Sequence, residues 1–312
     1  MSANPPAPTR VGGQGAGLLY AVAAYGLWGF LPGFFLLLDP ASPWEIVAFR
    51  ILMSLGFCAI LLTVTRGWRT LAGLARQPRV LFTMALAGAF IYVNWQVFVL
   101  ATLSGHVVEG SLGYFINPVI TVALGVIVLR ERLRPLQWAA VGISLVAILV
   151  IAVGYGAFPW IALALAFSFG FYGFIKKRVG AQVDAVSGLT LETVWLAPVA
   201  VVQLIITQAT LGLTFGSSGP VHLLLMIATG VITATPLLLF ASAARRLPLV
   251  ALGLTQYLAP VLQFLTGVFL LHEPMPVGRW IGFCLVWAAL VLLTVDMIRA
   301  ARAGRRASLP TA

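Results

Sequence analysis

The chain has 312 residues, of which 61% are hydrophobic and only 9% charged, with a net charge of +11 and a mean hydropathy of +1.04. Soluble domains carry about 25% charged residues, so a chain this poor in charge cannot cover a water-facing surface and reads as a polytopic membrane protein. The basic residues sit in short segments between apolar runs, which excludes a nucleic-acid footprint.

In chain order, residues 1–15 form a Pro/Gly-rich tail expected to be disordered and cytoplasmic, with no cleavable signal evident. A transmembrane helix needs about 20 apolar residues. Ten stretches qualify: 16–38, 43–64, 80–102, 106–129, 135–153, 157–175, 185–208, 219–242, 248–271 and 277–298. The connections are short, so the spans form one helical bundle without a soluble domain. Residues 299–312 are a basic tail. The two cysteines, Cys58 and Cys284, lie inside apolar stretches and read as small core residues; neither a disulfide nor a metal site is expected.

Loop charge orients the bundle. With the N-terminus inside, the inner segments hold Arg10, the arginines of 66–79, Arg130, Arg132, Arg134, Lys176, Lys177, Arg178, Arg245, Arg246 and the four tail arginines. That is 17 of the 19 basic residues, and it leaves Arg279 alone among the outer segments and Arg50 within a span. An excess of Lys and Arg marks the cytoplasmic side, so both termini are expected inside.

The chain also repeats itself. At a shift of 142 residues Leu112, Pro118, Gly125, Glu131 and Trp138 meet Leu254, Pro260, Gly267, Glu273 and Trp280, while Gly88, Phe98 and Ala101 meet Gly230, Phe240 and Ala243. Near the start the shift drifts to 144, where Trp28-Gly29-Phe30 meets Tyr172-Gly173-Phe174. Shared Leu and Val would mean little, but coincident Pro, Gly, Glu and Trp in one register indicate a duplication. Residues 16–153 and 157–298 are then two halves of five spans each. An odd number forces the second half to enter the membrane in the opposite sense. The expected architecture is therefore an all-α integral membrane protein with ten transmembrane helices in two inverted five-helix repeats, the plan of an alternating-access carrier.

Particular segments sharpen this. Ala24-Tyr25-Gly26-Leu27-Trp28-Gly29, Glu45-Ile46-Val47-Ala48-Phe49-Arg50, the run from Ser104 to Pro118, Leu191-Glu192-Thr193 and Gln256-Tyr257-Leu258-Ala259-Pro260 resemble the RarD group of EamA-type permeases in the drug/metabolite transporter (DMT) superfamily. The resemblance covers about residues 15–298 and is most specific over Ser104–Pro118. It implies the EamA fold and a bacterial inner-membrane permease, some members being linked by name to chloramphenicol resistance; it implies no particular substrate.

An ionisable group near the bilayer centre costs roughly 3 kcal/mol, so such groups are paired or functional. Arg50 and Glu192 are related by the 142-residue shift and place opposite charges at one pseudo-symmetric position. They are expected to line the central cavity, Arg50 meeting an anion and Glu192 a cation or proton; the plainer alternative is structural pairing, including an Arg50–Glu109 bridge. His106, Glu109, Gly113, Asn117 and Thr121 fall on one helical face beside Pro118, expected to front a cavity, with close helix packing at Gly113 and a backbone cap at Asn117 as the plainer readings. Asn94 and Trp95, with Tyr92 and Gln96 as neighbours, bring polar groups to the third span, and Gln256 and Tyr257 do so in the ninth. The candidate substrate-binding residues are thus Arg50, Asn94, Trp95, Glu109, Asn117, Glu192, Gln256 and Tyr257.

Several motifs carry no chemistry. Gly216-Ser217-Ser218-Gly219 reads as a flexible outer loop without a base, His272-Glu273-Pro274 lacks the second histidine of a zinc motif, and Glu131 and Glu273 read as caps or loop braces. Most tryptophans, Trp44, Trp160 and Trp280 among them, read as interface anchors. No nucleotide motif is present, so a secondary transporter of a small organic solute, driven by an ion gradient or by exchange, is the leading function. A polytopic membrane enzyme acting on a lipid-linked or membrane substrate is the alternative. The expected partners are a small-molecule substrate (amino acid, metabolite or drug), the bilayer, and in principle a proton or a second copy of the chain; no cofactor is expected.

Overall fold

The computed structural model describes residues 11–129, 134–155, 158–179, 182–244, 246–247 and 255–307. Among these residues the regular structure is entirely helical: α1 (Val11–Leu36), α2 (Pro43–Val64), α3 (Trp68–Ala75), α4 (Pro78–Leu103), α5 (Val107–Leu129), α6 (Pro135–Tyr155), α7 (Trp160–Val179), α8 (Ala185–Thr210), α9 (Pro220–Ala244), α10 (Leu258–Leu265) and α11 (Val277–Ala307), with a π-helical turn at Thr266–Leu270. By length and composition α1, α2, α4, α8, α9 and α11 can each cross a membrane, and α6, α7 and the α10–π segment are shorter apolar helices. The chain is a multi-pass membrane protein.

Local chemistry sets the helix starts. α2, α4, α6 and α9 each open on proline, which supplies a preset φ where its missing N–H costs nothing. The Ser42 hydroxyl accepts from the Glu45 N–H (3.2 Å) to cap α2, and the Asp184 carboxylate accepts from the Ser187 N–H (3.0 Å) to cap α8. Outward faces are apolar, as a lipid solvent requires: Leu19, Phe30, Phe82 and Leu224 are exposed.

Packing follows a definite pairing. α1 lies on α9 and α10, α7 on α4 and α5, α2 on α8 and α9, α8 on α4, α5 on α10, and α6 on α11. Small residues allow the closest crossings. A Cβ at Gly113 would come within 2.6 Å of the Ala162 carbonyl oxygen on α7, and one at Gly230 would overlap the backbone of Met53 on α2.

Four features depart from the sequence expectations. The segment 66–79 contains a short helix, α3, rather than only a loop. Within the described residues the ninth span is no continuous helix: α10 runs for eight residues, Pro260 sits in its first turn where proline is tolerated, and the Leu271 N–H then reaches the Thr266 carbonyl (3.0 Å) in a π turn. Residues 248–254 of that span, like Glu131, lie outside the described residues. Cys58 is buried as expected, but Cys284 is exposed, because it shares with Ile281 and Val291 the outward stripe of α11. The loop near Gly216 is tethered, since the Glu45 carboxylate accepts from the backbone N–H groups of Thr214 (2.9 Å) and Phe215 (2.8 Å) just before it.

Candidate functional site

Arg50 lies on α2 and is only 3% exposed. Its Nε donates to the Thr233 hydroxyl on α9 (2.8 Å), and the guanidinium lies over the Trp95 ring, 4.4 Å from the centroid, with the Phe35 centroid at 5.4 Å. A charge at this depth costs roughly 3 kcal/mol, of which aromatic faces return about 2 kcal/mol when the cation is desolvated. The Thr233 hydrogen bond offsets part of the rest. No carboxylate pairs with Arg50 among the described residues, and its Nη1 is buried without a hydrogen-bond partner there. The alternative Arg50–Glu109 bridge is not formed.

Asn94 and Trp95 are adjacent on α4 and both buried. The Asn94 amide donates to the Leu165 carbonyl (3.3 Å) and the Ser168 hydroxyl (3.2 Å) on α7, and its oxygen accepts from the Tyr114 hydroxyl on α5 (2.9 Å). Side chains from α2, α4, α5, α7 and α9 are thereby tied to one another around the guanidinium. Gln96 is buried too, and accepts from Gln203 on α8 (3.1 Å).

Glu192 occupies the pseudo-symmetric position on α8 and is 1% exposed. It accepts from Lys176 (2.6 Å) and from the Tyr172 hydroxyl (3.3 Å), both on α7. Glu192 is therefore held in an ion pair. Sequence reasoning missed Lys176 because it had been assigned to a basic loop, although its position one helical turn beyond Tyr172 puts the two on one face. Thr233 and Ser168 were missed as well; apolar neighbours surround both and no sequence signal distinguishes them.

Glu109 lies elsewhere, at the end of the bundle where α5, α7 and α11 begin. It accepts from the Ile161 N–H (3.2 Å) at the start of α7. With His106, Ser104 and Arg279 it lines a cavity of about 290 Å³, otherwise walled by Leu100, Leu112, Phe158, Trp160 and Phe283. Further along the same stripe Gly113 and Asn117 face α7, where a Cβ on Gly170 would stand 3.3 Å from the Asn117 oxygen. That part of the stripe is a helix-packing seam, and Thr121 has no described side chain. Tyr257 stands at the N-terminal boundary of α10 without a side-chain capping bond and packs against the cluster of Phe115, Phe264 and Phe283; Gln256 precedes it. The structure therefore brings Arg50, Asn94 and Trp95 together, places Glu192 in a separate ion pair, and leaves Glu109 at the bundle end.

Two carboxylates outside this set brace the same end. Glu45 holds the Thr214–Phe215 turn, and His222 beside it lies 3.4 Å from the Thr214 hydroxyl and 3.1 Å from the Leu38 carbonyl. Glu273 accepts from the Val107 (2.6 Å) and Val108 (3.0 Å) N–H groups and so caps α5 from the other half of the chain. Burial pushes its pKa up from the ordinary 4.5, opposed by those two hydrogen bonds.

Known proteins resemble this chain along nearly its whole length. Residues 15–153 match the EamA-like transporter family. "Protein RarD" of Streptomyces exfoliatus is 49% identical, covering 96% of this chain and 95% of its own. The chain belongs to the RarD group of EamA-like transporters. A Bacillus subtilis relative, "Uncharacterized transporter YojE", is 39% identical over 93% of this chain and 97% of its own. A solved crystal structure, 20% identical, covers 92% of this chain and 99% of its own with a TM-score of 0.58, which shows a shared fold. Membership makes the protein a membrane permease of the drug/metabolite transporter type.

Proposed function

We propose that this RarD-group permease is a secondary carrier of a small organic solute, working by alternating access between two inverted five-helix halves in a bacterial inner membrane. The observation that carries this is the exchange of packing pairs. Move each helix to its counterpart in the other half (α1 to α7, α2 to α8, α4 to α9, α5 to α10, α6 to α11), and α1–α9 becomes α7–α4, α2–α9 becomes α8–α4, and α1–α10 becomes α7–α5. The α2–α8, α5–α10 and α6–α11 pairs map onto themselves. A pairing scheme that survives this exchange supports two states related by swapping the halves.

In this reading the ten spans put both termini inside, and the end bearing Glu45, Glu109 and Glu273 faces outward. Arg50, Asn94 and Trp95 form the solute site. Glu192, with Lys176, supports the opposite wall; Asn117 packs in the α5–α7 seam and Gln256 and Tyr257 lie at the start of α10, so these three shape the bundle around the path, and Glu109 stands at the outer mouth, where it can take up a proton. Arg69→Cys and Ser217→Cys, each in a Cys58→Ser, Cys284→Ser background, test the topology with a membrane-impermeant maleimide. Ser217→Cys should label on intact cells and Arg69→Cys only after lysis. Both labelling from one side would end the inverted-halves reading.

A further inference from the structure

We infer that the carried solute is a monoanion, an organic acid bearing a single carboxylate or similar group, and not a zwitterion, a cation or a neutral drug. The inference rests on the carrier reading and narrows it by counting buried charge. Two positions matter, Arg50 and Glu192, and they differ in how they are compensated. Glu192 already has its cation in Lys176 at 2.6 Å, so that pair contributes no net charge. Arg50 has no carboxylate among the described residues; it leans on the Trp95 and Phe35 rings, and only its Nε is shown paired, with a neutral hydroxyl. Arg50 is therefore a buried positive charge with no carboxylate beside it among the described residues, and its Nη1 is buried and unpartnered there.

A guanidinium keeps its proton under all physiological conditions, so this charge cannot be relieved by titration as a lysine's could. An anion relieves it, because a charge-assisted bond to a carboxylate is stronger than any neutral alternative and fills the vacant donor. A dianion would bring a second negative charge, for which no further cation stands beside Arg50 among the described residues, Lys176 being taken by Glu192. An amino acid would bring an ammonium group that needs its own carboxylate, and Glu192 is taken while Glu45 is engaged by Thr214 and Phe215 near one end of the bundle. The phenol and amide groups nearby, Tyr114 and Asn94, bond to one another and to Ser168, so they hold the wall without supplying charge.

The test uses the purified full-length chain and three matched sets of probes: lactate, lactamide and alanine; phenylacetate, phenylacetamide and phenylalanine; indole-3-acetate, indole-3-acetamide and tryptophan. Thermal stabilisation is read for each, with counterflow in proteoliposomes for those that stabilise. At least one acid should raise Tm saturably and bind at least about tenfold more tightly than its own amide and amino acid, the margin expected when a buried charge loses its partner. Arg50→Gln should abolish that preference, and Arg50→Lys, which keeps the charge and guards against a folding artefact, should retain part of it. An amide or amino acid binding as well as its acid overturns the inference, as does an acid preference that survives in Arg50→Gln, or no response to any acid. If a neutral or zwitterionic probe is then carried in counterflow, only the charge class falls and the carrier stands. A solvent-filled Arg50 site, indifferent to probe charge, gives the first of these overturning results.

Discussion

At the scale of single residues, this protein uses buried carboxylates mainly as acceptors for backbone N–H groups. Glu273 shows what that costs. Its pKa is raised by burial above the ordinary 4.5, so the folded chain binds the proton more tightly than the unfolded chain does. The stability tied to this proton is fully present below the ordinary value and is lost as pH rises through the folded value. Glu273→Gln removes the titration and weakens the α5 cap by about 1 kcal/mol. The wild-type advantage over the variant, followed by Tm in detergent, should be largest in acid and should shrink toward neutral pH; a difference independent of pH would mean that the carboxylate is not desolvated as its burial implies. Residue-level chemistry was only half legible in the sequence. Arg50 and Glu192 stand out because a charge within an apolar run is rare and the repeat relates them. Lys176, Thr233 and Ser168 do not, since a lysine at a helix end and hydroxyls among apolar residues are ordinary until the fold brings them against a buried charge.

At the scale of elements, the proposed repeat makes a statement about helix crossings. Gly88 and Gly230 are counterparts, and each marks a crossing with the helix that carries a buried charge: Gly88 on α4 meets Glu192 on α8, and Gly230 on α9 meets Met53, one turn beyond Arg50 on α2. The two crossings are not equally tight. A Cβ on Gly88 would stand 3.3 Å from the Glu192 carbonyl oxygen, a distance small shifts relieve, whereas one on Gly230 would overlap the Met53 backbone. Gly230→Ala should therefore cost roughly 3 kcal/mol or prevent assembly, and Gly88→Ala should stay within about 1 kcal/mol, as overpacking of a closed and a looser contact would. Equal melting temperatures for the two variants would remove the asymmetry. Helix existence was readable in the sequence because periodic apolarity, proline and glycine encode it directly. The eight-residue α10 with its π turn was not. Pro118 and Pro260 occupy the same register, yet one lies inside α5 and the other opens α10, and only tertiary packing decides which.

At the scale of the whole molecule, the unequal crossings and the carboxylate ties point the same way. Glu45 to Thr214–Phe215, Glu109 to Ile161 and Glu273 to Val107–Val108 each join different helices near one end, the outer end in the proposed topology. The α2–α9 crossing at Gly230 meets Met53, about 12 Å along α2 from Glu45. The α4–α8 crossing, on the inner side, is the looser one. In the proposed topology, these ties must break for the bundle to open further toward the outside. Two states differing by a few kcal/mol can be re-weighted by removing one tie, because a population shifts about tenfold for each 1.4 kcal/mol. Glu45→Ala deletes the bonds to Thr214 and Phe215 while leaving Arg50, one helical turn and a half deeper, intact. Ser54 on α2 is fully buried one turn beyond Arg50, and Ser54→Cys in the Cys58→Ser, Cys284→Ser background reports solvent entry to that depth. From outside, an impermeant maleimide should react slowly with this cysteine and several-fold faster once Glu45→Ala is added. An unchanged rate would show that the Glu45 ties do not hold the outer end shut, and that the closed end must be sought among the basic loops on the opposite face.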